Sequence, residues 1–133
     1  MIYAVIDTNV IVSAFITHHQ DASTVKVLHH VINSDIKPLY DKDILNEYRQ
    51  VLSRKKFKIE KTVIDSLINM FIEQGLQMSR TPFAESMPDE SDRVFYEISL
   101  SKDDSFLVTG NLKHYPVSPK VISPNDFVNM FGF

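Results

Sequence analysis

Two short apolar runs constrain this chain more than any other feature. Ile2-Tyr3-Ala4-Val5-Ile6 stops abruptly at Asp7, and Ser105-Phe106-Leu107-Val108 stops at Thr109-Gly110-Asn111. Runs this short, bounded by polar residues, read as buried strands rather than helices. Between and around them lie longer stretches of helical periodicity. Lys42 to Arg54 places Ile44, Leu45, Tyr48, Val51 and Leu52 on one stripe, with Asp41 as its cap. Glu60 to Gln74 does the same with Ile64, Leu67, Ile68, Phe71 and Ile72, and Gly75 reads as the C′ residue that ends it.

The remaining segments complete the alternation. Asn9 to Ile16 is so apolar that it reads as a short, largely buried helix. Ser23 to Asn33 is a second helix, with Val27, Leu28, Val31 and Ile32 on one face. Ile36 to Tyr40 is a strand whose Pro38 predicts incomplete pairing. Leu76-Gln77-Met78 is a short edge strand, and a helix runs from Pro88-Asp89-Glu90-Ser91-Asp92 to about Ser101. Lys120-Val121-Ile122 is the last strand, followed by a helix capped by Ser123 with Pro124 at its first position. Strands alternating with helices predict an α/β fold: three α/β/α layers around a mostly parallel sheet of about five strands, in a single domain over residues 1–133.

Composition narrows the function classes. The net charge is −3, so any nucleic-acid contact must use a local basic patch or metal ions. The only concentrated positive charge is Arg54-Lys55-Lys56-Phe57-Lys58, which reads as a solvated loop or a patch for a phosphate backbone. Three glycines leave no room for a Gly-rich phosphate loop. Without cysteines there is neither a disulfide framework nor a thiolate metal site, which fits a cytoplasmic protein. No membrane span and no secretory leader is expected. His18 and His19 stand in a polar loop and read as solvated.

In a parallel sheet all strands carry their carboxyl ends on one edge, where open α/β sheets bind ligands. Asp7 and Asn111 fall on that edge. Asp7 fits a helix cap there, or a buried carboxylate that needs a metal ion, a backbone N–H cluster or a basic partner. Glu47 borders its apolar stripe and points toward the crevice, although its position also suits a surface pair with Lys42 or Arg49. Asp89, Glu90 and Asp92 crowd one helix start more densely than capping requires, and like charges this close repel unless a cation joins them. Oxygen donors converging from distant positions favour Mg²⁺ or Mn²⁺ over zinc and suit phosphodiester hydrolysis.

Asp7-Thr8-Asn9 after an apolar strand, Glu47 in Glu47-Tyr48-Arg49-Gln50-Val51-Leu52, Asp89 to Phe95, and Leu107-Val108-Thr109-Gly110-Asn111 together resemble the PIN-domain ribonucleases. The likeness is closest to the VapC-type toxins of toxin–antitoxin pairs. It implies a metal-dependent endoribonuclease cleaving single-stranded RNA, neutralised by a cognate antitoxin and often a homodimer. It places metal ligands on Asp7, Glu47 and Asp92, with Asp89 beside them and Asn111 at the position of a fourth acid. Thr8, Asn9 and Thr109 would support them, and Arg54, Lys55, Lys56 and Lys58 would contact the RNA backbone. Asn111 departs from the family's usual Asp. It motivates a second reading, a catalytically degenerate PIN-fold module that binds RNA or a protein partner. A phosphoacceptor receiver domain fits less well, since neither the paired acids of its first strand nor its acceptor Asp is present.

Overall fold

The computed structural model describes residues 1–133. Its elements are β1 (Ile2–Ile6), α1 (Thr8–Ile16), α2 (Ser23–Ile32), β2 (Ile36–Tyr40), α3 (Lys42–Leu52), α4 (Lys61–Gln74), β3 (Leu76–Gln77), α5 (Arg93–Leu100), β4 (Ser105–Val108), β5 (Val121–Ile122) and α6 (Pro124–Phe131). Three 3₁₀ turns, Lys55–Phe57, Glu90–Asp92 and Leu112–His114, join them. The five strands form one all-parallel sheet in the order β3-β2-β1-β4-β5. With helices on both faces, this is the three-layer α/β/α architecture expected from the alternation of strands and helices.

The strand order decides where a site can form. From β1 the chain builds outward through β2 to β3, then returns to lay β4 and β5 on the other side of β1. The order therefore reverses between β1 and β4, and a crevice opens at their carboxyl ends. Val5 pairs with Leu107 and Ile6 with Val108, so the two strands finish level with each other. The backbone N–H of Asp7 still donates to the Val108 carbonyl, at 2.9 Å.

Helix α5 packs along β1, β2 and β4 and touches α3, while α2 packs on β2 and α6. Tyr48 of α3 meets Phe71 of α4 edge-on and Phe95 of α5 at a tilt, with centroids 5.3 and 6.2 Å apart. All three rings are fully buried. Such packing fixes the helix that carries Glu47 to within a small displacement.

Three local expectations change. Helix α1 begins at Thr8 and buries only Thr8, Val10 and Ile11, while Ile16 is 47% exposed. Its all-round apolarity therefore leaves one side uncovered. Gly75 ends α4, but with φ −88° rather than in a left-handed turn. Glycine is needed there for space: a Cβ would stand 2.5 Å from both the Phe71 and Pro38 carbonyl oxygens. Gly75→Ala should therefore destabilise the fold by about 2 kcal/mol in chemical denaturation. Glu90 leaves the acidic cluster: its carboxylate takes Nε and Nη2 of Arg93 at 2.7 and 2.9 Å. The expected defect at Pro38 takes a definite form. Pro38 pairs with Ala4 of β1, but β3 meets β2 only at Leu39 and Tyr40.

Candidate metal centre

Asp7 follows the last residue of β1 and is 3% exposed. It occupies the cap position of α1, yet its side chain makes no capping bond. Its Oδ2 instead accepts from the Thr109 hydroxyl and the Tyr115 phenol, both at 2.8 Å, and more distantly from Asn9 Nδ2 at 3.4 Å. All three side-chain donors go to Oδ2, the backbone N–H groups of Thr8 and Asn9 also reach the carboxylate, and Asp7 lines a cleft. Burial pushes this carboxyl above its ordinary value, and the Thr109 and Tyr115 hydroxyls offset part of the rise.

The neighbouring residues tie the two strand ends together. Asn9 Oδ1 accepts from the Gly110 N–H at 3.0 Å, and a Cβ at Gly110 would press on that oxygen at 3.3 Å. Thr109, fully buried, also accepts from the Asn111 N–H at 3.0 Å. Tyr115 follows the 3₁₀ turn Leu112–His114 and is buried. Replacing it with Phe removes one of the two short bonds to Asp7. We expect Tyr115→Phe to weaken divalent-ion binding about tenfold by calorimetry, with little change in fold.

Glu47 arrives from α3. The Tyr48 hydroxyl donates to the Ile6 carbonyl at 2.5 Å, which pins α3 to the end of β1. Thr8 Oγ1 donates to Glu47 Oε2, also at 2.5 Å. The surface pairing open to Glu47 on sequence does not form, because Arg49 turns to Asp65. Burial raises the Glu47 carboxyl, the Thr8 bond lowers it and the Asp7 charge raises it further, for a net rise.

Asp92 and Asp89 come from the 3₁₀ turn before α5. Asp89 caps that turn, accepting from the N–H and hydroxyl of Ser91 at 3.0 and 2.6 Å, which hold its carboxyl below the ordinary range. Asp92 is buried, and burial together with the charge of Asp7 pushes it up to about 6. A buried acid on α5 steadies the approach to this turn. Glu97 takes Arg80 Nε and the Phe83 N–H, both at 2.8 Å. Burial raises its carboxyl, but those two donors and Arg93 outweigh it and leave it low.

His114 completes the cluster. Its Nδ1 lies 2.8 Å from Asp92 Oδ2 and 3.6 Å from Asp89 Oδ2. Its Nε2 faces Asn111 Nδ2 at 2.7 Å. Ligand atoms from Asp89, Asp92 and His114 all lie within 4.8 Å of one another. Neither His114 nor Tyr115 was singled out from sequence. A signal for His114 existed: it stands three residues after Asn111, and a 3₁₀ turn puts such residues on the same side. Tyr115 offered none.

Asp7, Glu47, Asp89, Asp92 and His114 thus line one cleft of about 450 Å³, with Thr8, Asn9 and Phe57 on its walls. That volume lies within the range of small-ligand sites. No lysine or arginine forms an ion pair with Asp7, Glu47, Asp89 or Asp92. The raised carboxyls of Asp7, Glu47 and Asp92, without a lysine or arginine partner, are the donor chemistry that a hard divalent cation compensates. The residues present therefore fit a Mg²⁺ or Mn²⁺ ion. Asn111 does not line this cleft; its amide lies on His114.

The basic run divides. Phe57 reaches the cleft wall, and Lys56 Nζ lies 5.1 Å from its ring centroid. Arg54 is close enough to lower the Glu47 carboxyl by its charge. Lys55 and Lys58 are exposed and outside the cleft, Lys58 in a left-handed turn with φ 54°. His18 and His19 lie away from the site.

A parallel sheet whose carboxyl edge gathers acids from three separate segments defines a nuclease-type α/β protein. The family model described as the PIN domain matches residues 3–113, and the chain belongs to that family. A search among curated proteins gives no match. No helix of the structure is long and apolar enough to cross a membrane.

Proposed function

We propose that this PIN-domain protein is a Mg²⁺- or Mn²⁺-dependent endoribonuclease that cleaves single-stranded RNA. The observation that carries this reading is the convergence of Asp7, Glu47 and Asp92 on one cleft with no lysine or arginine paired to them. These three would hold the ion, with Asp89 beside them. When bound, the ion supplies Lewis acidity: it makes water a stronger nucleophile and neutralises charge developing on phosphorus. Thr8 keeps Glu47 turned into the cleft, and Thr109 and Tyr115 orient Asp7 and favour its ionised form against burial. Phe57 offers a ring for an unstacked base, and Arg54 and Lys56 stand beside it for phosphate oxygens.

The biological reading is the toxin of a toxin–antitoxin pair, acting in the cytoplasm on RNA and held in check by a cognate antitoxin, with a homodimer as the assembly. Labelled single-stranded RNA incubated with Mg²⁺ or Mn²⁺ should be cut internally, and excess EDTA should stop the reaction. Induced expression should arrest growth, and the product of a neighbouring reading frame should relieve the arrest. RNA retained with no metal dependence and no products would favour the degenerate binding module instead.

A further inference from the structure

We propose that the ion in this chain is held by nitrogen as well as oxygen, with His114 Nδ1 as a ligand and Asn111 as the residue that positions its ring. The inference rests on the metal-dependent reading above and adds a ligand that reading does not contain. It implies a preference for Mn²⁺ over Mg²⁺, because imidazole suits transition ions whereas Mg²⁺ takes oxygen.

The distances carry the first part. Neighbouring ligand atoms on an octahedral ion with bonds of about 2.1 Å lie about 3.0 Å apart. The separations from His114 Nδ1 to Asp92 Oδ2 and Asp89 Oδ2, 2.8 and 3.6 Å, bracket that value. Small side-chain rotations bring all three onto one ion. A second observation points the same way. Asp7, nearly buried, lines the same cleft without a lysine or arginine partner, and its charge reaches Asp92.

Asn111 accounts for the rest. With its Nδ2 at 2.7 Å from His114 Nε2, the amide donates to that nitrogen, and the ring proton sits on Nδ1 toward Asp92. Ligation through Nδ1 requires the proton on Nε2. A half-turn of the amide then presents Oδ1 to accept it, the outer partner that a ligating histidine needs. An amide can serve both states, since it donates or accepts; an ionised carboxylate only accepts. Asparagine at this position thus fits a histidine that changes tautomer on taking up the ion. Its work passes through the imidazole and does not require the amide to touch the metal.

The test is Mn²⁺ titration followed by electron spin echo envelope modulation on the full chain. The wild type should bind Mn²⁺ and show coupling to one imidazole ¹⁴N. His114→Gln should lose that coupling and weaken Mn²⁺ at least about tenfold, while changing Mg²⁺ affinity by less than about threefold. Asn111→Leu should keep the coupling and weaken Mn²⁺ about 10–100-fold. Bound Mn²⁺ without ¹⁴N coupling in the wild type, or coupling that survives in His114→Gln, would overturn the inference and leave the metal-dependent reading standing. Failure of the wild type to bind Mn²⁺ would overturn both.

Discussion

Asp7→Asn should lower RNA cleavage by about 10³-fold or more and leave the fold as stable as before. The loss follows from charge. An ion that stabilises the transition state by several kcal/mol loses its most buried ligand, and each 1.36 kcal/mol is a factor of about ten. The retained stability follows from shape and hydrogen bonding. An Asn side chain can keep an oxygen where Thr109 and Tyr115 donate, so neither buried hydroxyl is orphaned. The charge it removes is one that burial already disfavours. Asp7→Ala is the contrast: it strands both donors and should cost about 1–3 kcal/mol in unfolding free energy. Asp7→Asn should also return Asp92 toward the ordinary carboxylate range, since the charge of Asp7 is the second cause of its rise. Cleavage within tenfold of wild type, with the fold intact by circular dichroism, would make Asp7 a structural residue and remove the basis of the nuclease reading.

How much of this was legible in the sequence depends on the length over which each signal is spread. The strands and helices were readable because their patterns repeat. Glu47 was readable for the same reason, since five apolar neighbours define the stripe it borders. Asp7 and Asn111 were placed by the ends of two apolar runs, and the sheet does set those ends side by side. Asp89, Glu90 and Asp92 looked alike in one dimension. The family resemblance chose Asp92 and Asp89 over Glu90, and the fold supplies the physical reason: Glu90 faces Arg93, whereas Asp92 faces the cleft. His114 and Tyr115 lie on and just after a single turn, where no period exists to reveal a direction. Helix α1 misled in another way: apolarity reports what a residue tolerates, not which side the rest of the chain covers.

Thermal stability measured without metal should fall as pH rises from 5 to 7.5, while divalent-ion affinity rises over the same interval. The signs follow from the cluster. Asp92 is pushed up to about 6, and Asp7 and Glu47 are also raised, so the folded protein holds protons there that the unfolded chain has released. Stability from those protons is complete below the ordinary carboxyl values and is lost as pH rises, the Asp92 part as pH passes about 6. Groups held low, such as Asp65, Asp89, Glu90 and Asp104, act oppositely but only as pH falls below about 4, so they do not mask the interval. Discounted for solvent access, the Asp92 contribution is on the order of 1 kcal/mol, or about 3–5 °C in Tm for a chain of this size. An ion must displace the same proton, so affinity should drop about tenfold between pH 7 and pH 5 from Asp92 alone. Asp92→Asn should flatten the metal-free slope and weaken binding at neutral pH. A metal-free Tm that climbs steadily from pH 5 to 7.5 would mean the carboxylates repel too little to need a cation, and the convergence of acids at the sheet edge would lose its chemical meaning.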